Sequence, residues 1–102
     1  MHALVLMATG TTGITDAVDR AHEQFIEDLD EADKVVLGGA LKPAGGPHHG
    51  AYVLSCGSLE EARAIAAADP LARAGAVRCD VLEWELVGVN PDAVDRDALL
   101  YP

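Results

Sequence analysis

The chain has 102 residues and a formal net charge of −10 at pH 7, and half of its residues are hydrophobic. This length predicts one small domain, and the apolar fraction suffices for a core, which argues against disorder. The negative charge disfavours nucleic acid and anionic membranes as partners, because both bind basic surfaces. No run approaches the roughly 18 apolar residues that span a bilayer, and the N-terminus lacks the pattern of a signal peptide. We therefore expect a cytoplasmic protein.

The first strand leads into a glycine-containing turn. Residues 3–8 form a short apolar run that predicts a strand buried on both faces. The following stretch, residues 9–14, resembles a phosphate-binding turn, and Thr15 can cap the helix after it. A dinucleotide-binding fingerprint needs a third glycine where Thr15 and Asp16 stand, and the Asp16 carboxylate would repel a phosphate. We interpret the stretch as an ordinary β–α loop.

The first helix carries a histidine on its apolar side. Apolar residues recur at helical spacing and form one stripe that includes His22. Eight of the seventeen acidic residues lie between Asp16 and Asp33, which predicts a solvated outer face on this helix. A lone histidine in such a stripe is usually a core residue. The stripe consists of Val18, Ala21, His22, Phe25, Ile26 and Leu29.

The next two strands flank a loop rich in proline, glycine and histidine. Residues 35–41 predict strand two, in which the glycines mark a bulge or a close approach of backbones. Residues 42–50 predict the loop, and residues 51–56 predict strand three. We expect His48 and His49 to be exposed in the loop, with no carboxylate nearby to complete a metal site.

A capping box opens the second helix. Ser58 and Glu61 have the Ser-x-x-Glu spacing, and the helix must end near Asp69 because Pro70 disfavours helical backbone in the preceding residue. The chain then predicts a turn at residues 71–75, strand four at 77–86, and a tail from residue 90 with room for one helical turn.

The element order β-α-β-β-α-β predicts a ferredoxin-like α+β fold. Its four-stranded antiparallel sheet has the strand order 4-1-3-2, with both helices on one face. The first three strands are apolar at nearly every position, and strand four changes phase between Val81 and Leu82, so the second face needs a cover. A second copy of the chain is the simplest cover, and we expect a homodimer. The predicted domain spans residues 1–88, followed by a C-terminal extension at 89–102.

The two cysteines, Cys56 and Cys79, have neither metal-ligand spacing nor a C-x-x-C motif. The predicted strand order puts strand one between them, about 10 Å apart, which is too far for a disulfide. We interpret each as a small buried hydrophobic residue, and we expect no metal or cofactor.

A histidine and an aspartate are the candidate catalytic pair. Because both helices lie on one sheet face, His22 and Asp69 can meet, and a carboxylate beside an imidazole suits a general acid or base. The alternative is that His22 is a core residue and Asp69 caps the turn around Pro70. Arg20 is a candidate for holding an anionic group or is simply solvated. The candidate pocket walls are Phe25, Tyr52 and Trp84, although Trp84 also suits packing in a dimer.

Two segments, "RAHEQFIEDLDEADKVVLGGAL" and "GAYVLSCGSLEEARAIAAADPLARAGAVRCDVLEWEL", carry a resemblance to a known family. Residues 3–86 resemble the YciI-like (YCII-related) proteins. The shared features are an Arg-x-His helix, glycines after strand two, an S-x-E-E-A helix, a D-P-x-x-x-A-G segment and an aromatic ending the last strand. The matching residues here are Arg20, His22, Gly38, Gly39, Ser58 to Ala62, Asp69, Pro70, Leu71, Ala74, Gly75 and Trp84.

The resemblance implies a dimeric ferredoxin-like α+β barrel with a His–Asp acid–base site, which by position is His22 and Asp69. One characterised branch is a cofactor-independent dehydrochlorinase of chlorinated hydroxyquinols. Ala40 stands where the family has proline, and the tail beyond Val87 is extra, so the substrate stays open. We expect a cofactor-free lyase- or isomerase-type proton transfer on a small aromatic or enolisable molecule. The alternative is a non-catalytic dimeric module that binds a small ligand or a protein.

Overall fold

A computed structural model of the chain describes residues 1–94 and confirms the ferredoxin-like α+β fold. The four strands form one antiparallel sheet in the order β2-β3-β1-β4, as predicted. Residues 95–102, which hold most of the predicted tail, lie outside the described part. The elements are β1 (His2–Thr9), α1 (Asp16–Glu31), β2 (Val35–Ala40), β3 (His48–Ser55), α2 (Leu59–Ala68), α3 (Pro70–Arg73), β4 (Val77–Glu83) and a 3-10 turn (Pro91–Ala93).

Both long helices begin at the predicted caps. The Thr15 hydroxyl accepts a hydrogen bond from the Val18 N–H at 3.2 Å, and the Ser58 hydroxyl accepts one from the Glu61 N–H at 3.1 Å. The Glu61 carboxylate accepts in turn from the Gly57 N–H at 2.7 Å, one residue before the cap. Within residues 1–94, no helix is long and apolar enough to cross a membrane.

The two faces of the sheet differ sharply in burial. On the helix side, Val5 is fully buried and pairs with Tyr52 of β3 and Val81 of β4. On the opposite face, Leu4 pairs with Val53 and Leu82. Leu82 is 51% exposed there, so the change of phase in β4 marks side chains that turn from the helices to the open face. The buried core cluster comprises Ala3, Val5, Met7, Ile26, Tyr52, Leu54, Ala62, Ala66, Leu71, Ala76 and Val77.

The predicted loop at residues 42–50 is shorter in the structure. Strand β3 begins at His48, which pairs with Ala8, and the His49 carbonyl accepts a hydrogen bond from the Leu41 N–H at 3.1 Å. The prediction that both histidines lie in a loop was therefore wrong, because backbone pairing with both neighbouring strands extends β3 towards the N-terminus. His48 is exposed and His49 is half-buried.

Two further boundaries differ from the predictions. Pro70–Arg73 forms the short helix α3 instead of an irregular turn, since Pro70 suits the first position of a helix. Strand β4 ends at Glu83, although the next residue, Trp84, still donates its N–H to the His2 carbonyl at 2.9 Å.

Of the two alternatives predicted for the glycines of β2, a bulge or a close approach, Gly38 marks a close approach, whereas the bulge lies at Val36. The register of β2 against β3 shifts between Val35 and Leu37, which makes a β-bulge. Gly38 lies opposite Tyr52, and a Cβ on Gly38 would lie 2.8 Å from the Tyr52 Cβ. Only glycine therefore allows Tyr52 its observed position.

We expect Gly38→Ala to lower the free energy of unfolding by about 1–3 kcal/mol, because the added methyl group must displace a buried side chain. The measurement is urea unfolding followed by circular dichroism. Gly13→Ala is the control, because a Cβ at Gly13 meets nothing within 4 Å. Equal stability of the two variants would contradict the assigned role of Gly38.

Candidate active site

Asp69 lies at the junction of α2 and α3 and is fully buried. Its backbone is extended, with φ −58° and ψ 128°, as expected for a residue that precedes proline. Its carboxylate Oδ1 accepts a hydrogen bond from the Leu71 N–H at 2.9 Å. Asp69 therefore caps α3.

The same carboxylate binds His22 of α1. The His22 Nδ1 lies 2.9 Å from Oδ1 and 3.0 Å from Oδ2 of Asp69, and the imidazole is 15% exposed. Because a carboxylate can only accept, Nδ1 carries the proton and donates it. The other ring nitrogen, Nε2, forms no hydrogen bond within residues 1–94 and can act as a base. Asp69 thus fulfils both sequence interpretations, as a cap and as the partner of His22.

His22 lines a cavity of about 200 Å³ between α1 and the sheet. Its other ionisable lining residues are Asp19 and Glu23 of α1 and His49 and Tyr52 of β3. A larger, open depression of about 850 Å³ runs along β4 but contains neither His22 nor Asp69. The remaining lining residues are apolar or glycine: Met7, Ile26, Val35, Gly38, Gly39, Ala40, Gly50 and Ala51.

Tyr52 contributes a buried hydroxyl group beside Asp69. The residue is 2% exposed, and its hydroxyl has no hydrogen-bond partner in the described part of the chain. Burial, and next the negative charge of Asp69, raise the pKa of the Tyr52 phenol far above its usual range. Tyr52 therefore stays neutral in the site.

The two cysteines, Cys56 and Cys79, are half-buried, not fully buried as predicted, and Cys79 is a poor nucleophile. Both are free, as the strand order predicted. Burial, and then the charges of Asp69 and Asp80, raise the pKa of the Cys79 thiol to about 11, so it is protonated near neutral pH and reacts poorly. Among residues 1–94, no group of three or more His, Cys, Asp and Glu side chains is placed to hold a metal ion.

The structure separates the other candidate residues from the cavity. Phe25 packs against the core but does not line the cavity. Arg20 is exposed and forms no ion pair in the described region. Trp84 lies near the open face, 46% exposed, over a shallow cavity shared with Leu4 and Leu37. Of the candidate pocket walls, only Tyr52 lines the cavity that contains His22.

Three lining residues escaped the sequence interpretation. Asp19 precedes His22 by three residues, so helical spacing could have identified it as a neighbour. Glu23 is adjacent to His22 in sequence and gives no such signal. His49 was missed because it was assigned to an exposed loop.

Comparison with known proteins identifies relatives. A family model, the YCII-related domain, matches residues 1–85. The uncharacterized protein YjpA of Bacillus subtilis (strain 168) is 30% identical over 86 residues, which cover 84% of this chain and 98% of that protein. A solved structure, 5-chloro-2-hydroxyhydroquinone dehydrochlorinase (TftG) from Burkholderia phenoliruptrix AC1100 in complex with 2,5-dihydroxybenzoquinone, superposes with a TM-score of 0.63. It shares 19% identity, covers 83% of this chain and 94% of its own, and thus shows the fold.

We expect Asp69→Ala to lower the free energy of unfolding by about 3–5 kcal/mol, because it removes both the cap of α3 and the partner of a buried imidazole. Asp69→Asn should lower the free energy of unfolding by less, because the amide oxygen can still accept a hydrogen bond from the Leu71 N–H. Urea unfolding measures both. Asp30→Ala, which changes an exposed residue of α1, is the control. Equal losses in the two Asp69 variants would contradict the contribution of the cap.

Proposed function

The chain belongs to the YCII-related domain family, and on that premise we propose that it is a cofactor-independent acid–base enzyme in which His22 is the base and Asp69 orients it. One observation carries the proposal. The buried carboxylate of Asp69 accepts a hydrogen bond from Nδ1 of His22. Nε2 is therefore the ring nitrogen available to a ligand in the cavity. The reaction class is proton transfer of the lyase or isomerase type.

The size of the cavity supports a small substrate. A volume of about 200 Å³ is below the range of drug-sized sites. One water molecule takes about 30 Å³ in the liquid, so the cavity has room for several groups of that size. This space suits one substituted six-membered ring. A dehydrochlorinase of a chlorinated hydroxyquinol has the same fold, and this makes such rings the first substrates to test.

The proposed step needs no oxidant or reductant. Nε2 of His22 removes a hydroxyl proton of the ring, and the negative charge of Asp69 stabilises the imidazolium that forms. The electron pair of that O–H bond forms a carbonyl, and the displaced ring electrons take up a proton at the carbon that carries chlorine. Removal of a second hydroxyl proton, from the oxygen para to the first, forms the second carbonyl and shifts a ring double bond, so that chloride leaves with the electrons of the C–Cl bond. Hydrogen chloride is thus lost as a proton and an anion, and the ring reaches the oxidation level of a hydroxyquinone. With a substrate that lacks a leaving group, the proton returns to another atom and the product is an isomer.

The test of this mechanism separates the two nitrogens of His22. In His22→Asn the side-chain amide can still donate to Asp69, but nothing replaces Nε2. We expect the wild type to release chloride from 5-chloro-2-hydroxyhydroquinone under nitrogen, and His22→Asn to lose roughly 10²- to 10⁴-fold in rate. Chloride release and quinone absorbance are the two measurements. Arg20→Gln, which changes an exposed residue of the same helix, is the control and should keep its rate.

The outcomes distinguish the enzyme from the alternative, a ligand-binding module. Saturable binding of the ring without chloride release or isomerisation in the wild type would favour the module. A rate that His22→Asn leaves unchanged would remove His22 from the mechanism. If the wild type neither binds nor converts the ring, this substrate class is excluded.

We also propose that the chain forms a homodimer through the open face of the sheet. Leu37, Leu82 and Trp84 are 58%, 51% and 46% exposed, and on this face Leu82 pairs with Leu4 and Leu37 with Val53, which is itself buried. Contiguous apolar surface of this kind marks association sites. A two-fold dimer would bury the same patch on both copies.

We expect sedimentation at micromolar concentration to give twice the 10.6 kDa mass of the chain. Leu82→Lys should shift the protein to the monomer, because it places a charge within the apolar face. Val87→Lys is the control, since Val87 is fully exposed beyond the end of β4. A wild-type monomer would contradict the proposed assembly.

A further inference from the structure

His49 is the extra residue of a β-bulge in β3. Met7 of β1 pairs with Gly50, and the next residue of β1, Ala8, pairs with His48, so His49 has no partner in the register. Bulges commonly redirect a side chain next to a functional site. Here the bulge leaves His49 half-buried at the wall of the cavity that His22 also lines.

The His49 imidazole is not used for hydrogen bonding within the described part of the chain. Its carbonyl oxygen accepts the Leu41 N–H, but its ring makes no hydrogen bond or ion pair within residues 1–94. It also borders an adjoining cavity of about 400 Å³, whose wall includes His48. His49 thus lies where the two cavities meet, and His48 lines only the second.

The charges around the cavity limit what can bind there. Asp19 and Glu23 line the same space as the two imidazoles, and the chain as a whole carries a net charge of −10. Carboxylates at a cavity wall disfavour an anionic ligand relative to an uncharged one. Two imidazoles on different elements, α1 and β3, instead offer hydrogen bonds to two polar groups of one small molecule.

We propose that His49 is a second substrate-contacting residue, and that the cavity binds an uncharged ring with two hydroxyl groups, one at His22 and one at His49. The inference rests on the proposed function for the role of His22. His49 sets specificity in this arrangement, because a ring with a single hydroxyl group leaves one of the two imidazoles without a ligand partner.

The test compares two ligands in two proteins. Hydroquinone has two hydroxyl groups and phenol has one, and their dissociation constants can be measured under nitrogen by NMR titration. We expect the wild type to bind hydroquinone roughly three- to tenfold more tightly than phenol, which is the effect of one hydrogen bond. In His49→Leu the two ligands should bind alike, because the second hydroxyl group has lost its partner.

Two variants make the comparison specific. His49→Gln should restore part of the preference for hydroquinone, since an amide can donate and accept. His48→Leu should keep the full preference, because His48 does not line the His22 cavity. A purely structural role of His49 would weaken both ligands equally, and this result would overturn the inference, as would equal binding of the two ligands by the wild type.

The same measurements separate this inference from the catalytic proposal. If the preference for hydroquinone depends on His49 but chloride release is absent, the binding role stands and the proposed reaction falls. If chloride release depends on His22 but the preference survives His49→Leu, only the role of His49 falls.

Discussion

The hydrogen bond between His22 and Asp69 is the constraint on which the rest of the site depends. A fully buried carboxylate is unfavourable unless other groups bind it, and here the Leu71 N–H and the His22 imidazole do so. The interaction joins α1 to the junction of α2 and α3. His22 and Asp69 are 47 residues apart along the chain. The helices therefore have a fixed relative position at the place where the chemistry is proposed.

The glycine-containing stretch at residues 9–14 has a structural role next to the C-terminal end of α3. The Gly10 N–H donates to the Ala76 carbonyl at 2.8 Å, and a Cβ on Gly10 would collide with the carbonyl oxygen of Gly75. The stretch therefore packs directly against the turn that follows α3. Close backbone approach therefore explains Gly10 but not Gly13, at which a Cβ would meet nothing within 4 Å.

Much of the fold was predictable because its signals are local. The caps at Thr15 and Ser58 and the break at Pro70 fixed the helices, and the order of elements then restricted the topology to one arrangement. Two helices sharing a sheet face made a contact between His22 and Asp69 possible, and the family resemblance singled out this pair. The position of His49 could not be predicted in this way, because it depends on a one-residue shift in strand pairing that leaves no pattern in the sequence.

Of the side chains Tyr52, Cys79 and His22 near Asp69, His22 is the one that can carry a positive charge. Tyr52 and Cys79 both lie near the carboxylate, and burial together with that negative charge raises the pKa of each, so both stay neutral. Neither can supply a positive charge, whereas the His22 imidazole, which is hydrogen-bonded to the carboxylate, can. When a proton arrives at Nε2, the new positive charge therefore forms against a carboxylate already in place, and little reorganisation is needed. A site with a second cation beside Asp69 would share that charge and weaken the base, so the neutrality of Tyr52 and Cys79 contributes to the site together with the hydrogen bond itself.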